Sequence, residues 1–212
     1  MVNLSDISNS LQSGKAKETS DLIARAIKEN YSVESILRQG LIPGMYAMTN
    51  RYKRREIFRP ELLIAARAMN IGIGVLRPAI ASSAGEPKGA VIIGAVKGDI
   101  HDIEKTLAAV TLEGAGFRVI DLGVSVSPER FVEAAVRESA QIILCFSSLP
   151  ATMPQLKSVV HAASSAGIRS RVKIMITGAP VTEKYCQDIG ADFYARDTVG
   201  VVEMARAACS NG

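Results

Sequence analysis

The chain of 212 residues has no tryptophan, two histidines, three cysteines and only 5% aromatic residues. So few rings weaken any function built on stacking nucleobases against aromatic platforms. Cys145, Cys186 and Cys209 form no CxxC pair, and none lies within four residues of His101 or His161. Neither a disulfide framework nor a zinc site is indicated, and reduced, mostly buried thiols are expected. No apolar run approaches the roughly 18 residues a membrane-spanning helix needs, and MVNLSDISNSLQSGK lacks the charged-then-apolar order of a signal peptide. A soluble, cytoplasmic protein is the expectation. No GxGxxG follows the first predicted strand, and no phosphate-binding GxxxxGK motif or GxSxG nucleophile elbow occurs, so the usual nucleotide and serine-hydrolase sites lose their main support.

What is present is an apolar, moderately charged chain: 48% hydrophobic and 22% charged residues, with a mean hydropathy of +0.17. Such a chain can bury enough surface to offset the entropy of ordering it. The net charge of +4 is uneven. Residues 1–88 carry 13 basic and 8 acidic side chains, and residues 89–212 carry 12 and 13. A basic first part suits an acidic partner surface or nucleic acid, or is an ordinary solvated face.

The same division appears in the hydrophobic pattern. Thr19, Leu22, Ile23, Ala26 and Ile27 stand at helical spacing, and Ser32 is placed to cap a second helix bearing Val33, Ile36 and Leu37. Gly40 and Pro43 are expected to interrupt it before a further apolar series, Leu41, Ile42, Met45 and Met48. Pro60 suits the first turn of a long helix carrying Leu62, Leu63, Ala66, Met69, Ile73 and Leu76. These read as a four-helix bundle over residues 1–85. ASSAGEPKG (81–89) has the composition of a linker. Beyond it, apolar runs at Ala90–Val96, Val119–Leu122, Ile142–Phe146, Val172–Ile176 and Phe193–Ala195 alternate with segments of helical length. That alternation predicts an α/β domain over 86–212, a flavodoxin-like (Rossmann-type) doubly wound sheet of five parallel strands.

Ligands of such sheets bind beyond the carboxyl ends of the strands, near the topological switch point. The loop after the first strand contains Gly98-Asp99-Ile100-His101-Asp102, that after the third Ser147-Ser148-Leu149-Pro150-Ala151-Thr152, and that after the fourth Thr177-Gly178-Ala179-Pro180. The Asp99-x-His101 spacing lets the carboxylate hold one imidazole nitrogen while the other faces a ligand, which fixes the tautomer and raises the basicity of the free nitrogen. This suits axial ligation of a metal carried in a large cofactor. It suits a self-assembled zinc site poorly, because His161, the other histidine, is expected on the third helix of the second domain. A surface loop with a solvated histidine is the alternative reading of DxH alone. A response-regulator receiver shares the topology, but the third strand here ends in Phe146-Ser147 rather than in a phosphoacceptor aspartate.

GDIHDIEK (98–105), SSL (147–149), TGAPVT (177–182) and IGADFYARD (189–197) together resemble the cobalamin-binding domain of the corrinoid proteins of methyltransferase systems, related to the module of cobalamin-dependent methionine synthase. GLIPGMYAMTNRYKRREIFRPELLIAARAM (40–69) is similar to the helical cap that precedes that domain. The resemblance covers nearly the whole chain. It implies cobalamin as cofactor, with His101 as lower axial ligand to cobalt in place of the dimethylbenzimidazole base and Asp99 behind it. Gly98, Ile100 and Asp102 would complete that loop. Ser147 and Leu149 would line the slot for the nucleotide tail, Gly178 would let the backbone approach the tail, and Ala195 would touch it from the last strand-end loop. Tyr52 and Leu63 match positions that cover the upper face of the corrin, and ordinary core residues of the bundle are the alternative for both. Three positions depart from the family pattern: Glu104 replaces the glycine of DxHxxG, Thr177 the first glycine of a pair, and Arg59 an apolar cap residue. Asp102 is expected to cap the helix that carries Glu104.

The function implied is that of a carrier, accepting a methyl group on cobalt from a substrate-specific methyltransferase and presenting it to a second methyltransferase. A reductive activase is a further implied partner, and neither nucleic acid nor membrane is. The linker would be the hinge on which the cap moves, and Arg51, Lys53, Arg54 and Arg55 would dock an acidic partner. Two alternatives stand beside it: a light- or ligand-responsive cobalamin regulator, and a member with weakened or lost cobalamin binding, acting as a regulatory or interaction protein, to which Glu104 and Thr177 point.

Overall fold

The computed structural model describes residues 1–83 and 86–210. The chain divides into two compact units, Met1–Ala84 and Gly85–Gly212.

The first unit is helical: α1 (Leu4–Gln12), α2 (Ala16–Lys28), α3 (Val33–Ile36), α4 (Ile42–Lys53) and α5 (Arg59–Ser83). Ser32 caps α3 as expected, its Oγ accepting from the Ser35 amide at 3.1 Å. Gly40 and Pro43 do not interrupt the helix. Leu37–Leu41 widens into a π turn in which the Ile42 N–H reaches back to the Leu37 carbonyl, and α4 follows directly with Pro43 in its first turn. Widening by one residue lets the helix continue around a proline that offers no N–H of its own. The four-helix bundle is therefore α1, α2, the continuous α3–α4 helix and α5. In α1, Leu4, Ile7 and Leu11 are buried along one stripe, and Asn3 caps the start.

Contrary to the expectation that no run approaches membrane-spanning length, Arg59–Ser82 passes that test on length and composition, with a mean hydropathy of 1.3. Ala65, Ala68, Met69, Ile73 and Leu76 of this helix are buried at i, i+3, i+4 spacing, as on a helix packed against a bundle core, here chiefly α2. The expected linker is shorter than its composition suggests. Ala81–Ser83 close α5, and Lys88 is tied to the second unit through its amide to Gly116 and its Nζ to the Ala115 carbonyl; residues 84 and 85 lie outside the described residues.

The second unit carries five parallel strands in the order β2-β1-β3-β4-β5: β1 (Ala90–Ala95), β2 (Arg118–Asp121), β3 (Ile142–Phe146), β4 (Lys173–Thr177) and β5 (Phe193–Tyr194). Every residue of β1 and β3 is buried, as central strands covered on both faces require. Ile92, Ile143, Cys145, Ile174 and Ile176 pack against α7 (Pro128–Arg137), α8 (Met153–Ser165) and α9 (Glu183–Ile189). Val91, Ile93, Leu144, Phe146 and Met175 face the other way, against α6 (Ile103–Gly114) and α10 (Thr198–Ser210). The doubly wound expectation holds, and His161 lies exposed on α8, the third helix of this unit. The order reverses between β1 and β3, which places the switch point at the connections following those two strands.

Candidate functional site

Two connections meet at that switch point. After β1 the chain turns at Val96–Asp99, the Asp99 amide donating to the Val96 carbonyl at 2.9 Å. This turns the Asp99 side chain inward, where it is fully buried. One carboxylate oxygen accepts from the His101 amide at 3.0 Å and from its Nδ1 at 2.8 Å. The other accepts from the Ser148 amide and lies 3.4 Å from Thr152 Oγ1. Burial alone pushes this carboxyl up, but the amides of Ser148 and His101, with the His101 ring, outweigh it and hold it below the usual value of 3.8. Asp99 is therefore a buried carboxylate beside an exposed histidine.

The consequence for His101 follows from donor bookkeeping. An ionised carboxylate only accepts, so Nδ1 carries the proton, and the neutral ring keeps its lone pair on Nε2. The His101 side chain is 56% exposed, so a lone pair of fixed tautomer stands at the open end of the sheet.

Behind Asp99 the hydroxyls are coupled. Thr152 Oγ1 lies 2.9 Å from Ser147 Oγ and 3.0 Å from the Leu149 carbonyl. Each hydroxyl has one proton; when Thr152 gives its own to Asp99, Ser147 can donate to Thr152. Ser147 and Thr152 are both buried, and the Ser147 amide donates to the Thr177 carbonyl at 3.0 Å. That contact brings in the connection after β4, where Gly178 approaches Ser147 so closely that a β-carbon would stand 1.9 Å from its carbonyl oxygen. Gly178 is thus required by the protein's own backbone.

Asp99, His101, Ser147, Leu149 and Gly178 therefore form one connected cluster. Ala195 lies at the end of β5, buried, its amide donating to Ile176. Gly98, Ile100 and Asp102 are exposed. Asp102 occupies the position before α6, but its side chain makes no capping hydrogen bond, so the expected cap is absent. Tyr52 and Leu63 lie in the helical unit, 41% and 55% exposed, which overturns the alternative that they are core residues. Sequence reasoning missed two members. Thr152 and the Ser148 amide were readable only as part of a strand-end loop.

Cobalamin fits this donor set. It needs one neutral nitrogen presented outward, which His101 Nε2 supplies, and apolar surface beside it for a broad macrocycle. Ile100 is 73% and Leu149 40% exposed, both in connections that meet at the switch point. Among the described residues no group of three or more His, Cys, Asp or Glu side chains stands together as a metal site.

Comparison with known proteins supports the same assignment. Two family models, each described as a B12 binding domain, match residues 89–203 and 4–77. The chain belongs to the B12-binding family. A corrinoid protein from Desulfitobacterium hafniense is 31% identical over 95% of each chain, and trimethylamine corrinoid protein 1 from Methanosarcina mazei is 35% identical over 89% of this chain and 88% of its own. The structure of the monomethylamine corrinoid protein of Methanosarcina barkeri superposes with a TM-score of 0.81 at 27% identity, covering 96% of this chain and 97% of that one. Its relatives place this B12-binding chain among the corrinoid proteins of methyltransferase systems, with cobalamin as the cofactor.

Proposed function

We propose that this chain is a methyl carrier in which His101 Nε2 would hold the cobalt of the cofactor. The reading rests on one observation: a fully buried carboxylate holds His101 Nδ1 and leaves Nε2 outward. When bound, the cofactor supplies a metal centre that takes up and releases a methyl group, and the protein supplies ligation, orientation and access. Asp99 fixes the ring and its tautomer. Ser148 and Thr152 hold Asp99 against rotation, and the Thr152–Ser147 pair offers a proton path to its carboxylate. Ser147 and Leu149 line the slot for the nucleotide tail; Gly178 and Ala195 border it with main chain, and Gly98, Ile100 and Asp102 form the mouth. Tyr52 and Leu63 present apolar surface from the helical cap.

In this reading the cap's partners are a substrate-specific methyltransferase, a second methyltransferase and a reductive activase, and the methyl donor is chosen by the first of them. Relatives named for trimethylamine and dimethylamine favour a methylated amine. The basic run is less charged than it reads, since Arg51 and Arg54 lie 3.9 and 3.0 Å from Glu56, which leaves Arg55, exposed and left-handed at φ +60°, as a projecting cation for an acidic partner. The Asp99–His101 pair counts against the alternative of a member that has lost its cofactor.

Mixing the protein with hydroxocobalamin, desalting it and recording the visible spectrum tests the reading. Wild type is expected to retain about one corrinoid per chain with an imidazole-ligated spectrum, and His101→Ala to hold it at least about tenfold more weakly, since a whole ligand bond is removed. Colourless wild-type protein overturns the reading.

A further inference from the structure

We propose that Ser125 is a positioning residue for the His101 loop, gripping its main chain from the connection after β2. The proposal rests on the reading of His101 as the residue that would hold cobalt but concerns a residue in no predicted motif. Ser125 has φ +51°, a left-handed conformation unfavourable for a residue with a β-carbon. Strain of this kind persists where surrounding contacts over-determine it, and it concentrates at functional sites.

The contacts are specific. The Ser125 amide donates to the Asp99 carbonyl at 2.8 Å, and Ser125 Oγ accepts from the Gly98 amide at 3.1 Å. One residue thereby holds both outer polar groups of the Gly98-Asp99 pair. The carboxylate of Asp99 is gripped separately by Ser148 and Thr152, from the connection after β3. The two holds do different work: the β3 connection orients the Asp99 side chain, and Ser125 fixes the backbone from which that side chain projects.

The connection carrying Ser125 is itself anchored. The Gly123 amide donates to Asp121 Oδ1 at 2.8 Å, and the Ala95 amide donates to the Gly123 carbonyl at 3.0 Å. The other oxygen of Asp121 receives Nζ of Lys105, a buried lysine in the first turn of α6. Lys105 stands four residues after His101, so the loop hangs between α6 at one end and β1 at the other, with Ser125 clamping its middle.

Three variants separate positioning from plain stability. In Ser125→Gly the left-handed strain is relieved while the Oγ acceptor is lost. Its melting temperature is expected to stay level or rise, while amide hydrogen exchange at Gly98 in cofactor-free protein accelerates about tenfold and hydroxocobalamin retention falls several-fold. Ser125→Ala keeps the strain without the acceptor and lowers both stability and retention. Ser125→Asn tolerates the left-handed region and brings an acceptor oxygen, and is expected to restore Gly98 protection. Wild-type exchange at Gly98 in Ser125→Gly, or retention that merely tracks melting temperature across the three variants, would overturn the proposal. Failure of wild type to bind hydroxocobalamin would sink the carrier reading instead, and exchange at Gly98, measured without cofactor, still decides the clamp.

Discussion

Gly178→Ala is expected to cost about 4 kcal/mol or to prevent folding altogether. Two separate effects add at this residue. Its φ of +132° is one that an L side chain rarely adopts, a penalty of roughly 1–3 kcal/mol. The larger effect is overlap: the added β-carbon would stand 1.9 Å from the Ser147 carbonyl oxygen and 2.6 Å from its carbon. Those are backbone atoms at the end of β3, so relief requires the ends of β3 and β4 to part and the Ser147–Thr177 hydrogen bond to lengthen. Gly190 is the internal control. It terminates α9 at φ +73° with nothing within 4 Å of a built β-carbon, so Gly190→Ala should cost only about 1 kcal/mol. Urea denaturation of the two variants checks the difference; equal losses would show that the close approach is not what requires glycine at 178.

The second large effect is expected at Asp99. Asp99→Asn keeps the size of the side chain but turns one acceptor oxygen into a donor that faces N–H groups of Ser148 or His101. Leaving such donors unpaired in a buried site should remove about 3 kcal/mol. The loss should also depend on pH. Because the folded carboxyl lies below its usual value, the unfolded chain binds the proton more readily. The stability due to Asp99 is therefore complete above about pH 4 and is lost as pH falls through the depressed folded value. The gap between wild type and Asp99→Asn should narrow as urea titrations move from about pH 6 towards about pH 3. A gap of constant size across that window would show that Asp99 is not held as a carboxylate.

Much of the architecture could be read from periodicity alone. β1, β3 and β4 are near-continuous apolar runs, and the parallel order follows from the helical segments between the strands. At Gly40 and Pro43 a local signal is overruled by packing. Gly40 and Pro43 are sound stop signals in an isolated helix, yet here the helix widens by one residue and continues, with Gly40 against Ile7 of α1. The stripe Leu4, Ile7, Leu11 is diluted by the serines and asparagine between its members, which weakens its helical period in the sequence. In the site, Asp99 and His101 were legible because two residues at DxH spacing carry their partnership locally. Thr152 was not, because its role depends on the connection after β3 folding back onto that after β1. Ser125 was least legible of all. A serine in a left-handed turn has no sequence signature, and its partners lie 26 and 27 residues away.

The central claim, that a nitrogen of His101 binds cobalt in place of the cofactor's own base, is tested most directly by electron paramagnetic resonance. The protein is loaded with cob(II)alamin, once with natural histidine and once with histidine labelled with nitrogen-15. The account predicts that each cobalt line, split into a triplet by one nitrogen-14 nucleus, becomes a doublet in the labelled sample, and that His161→Gln behaves as wild type. A triplet that persists with labelled histidine would show that the cofactor keeps its own base and would contradict the account.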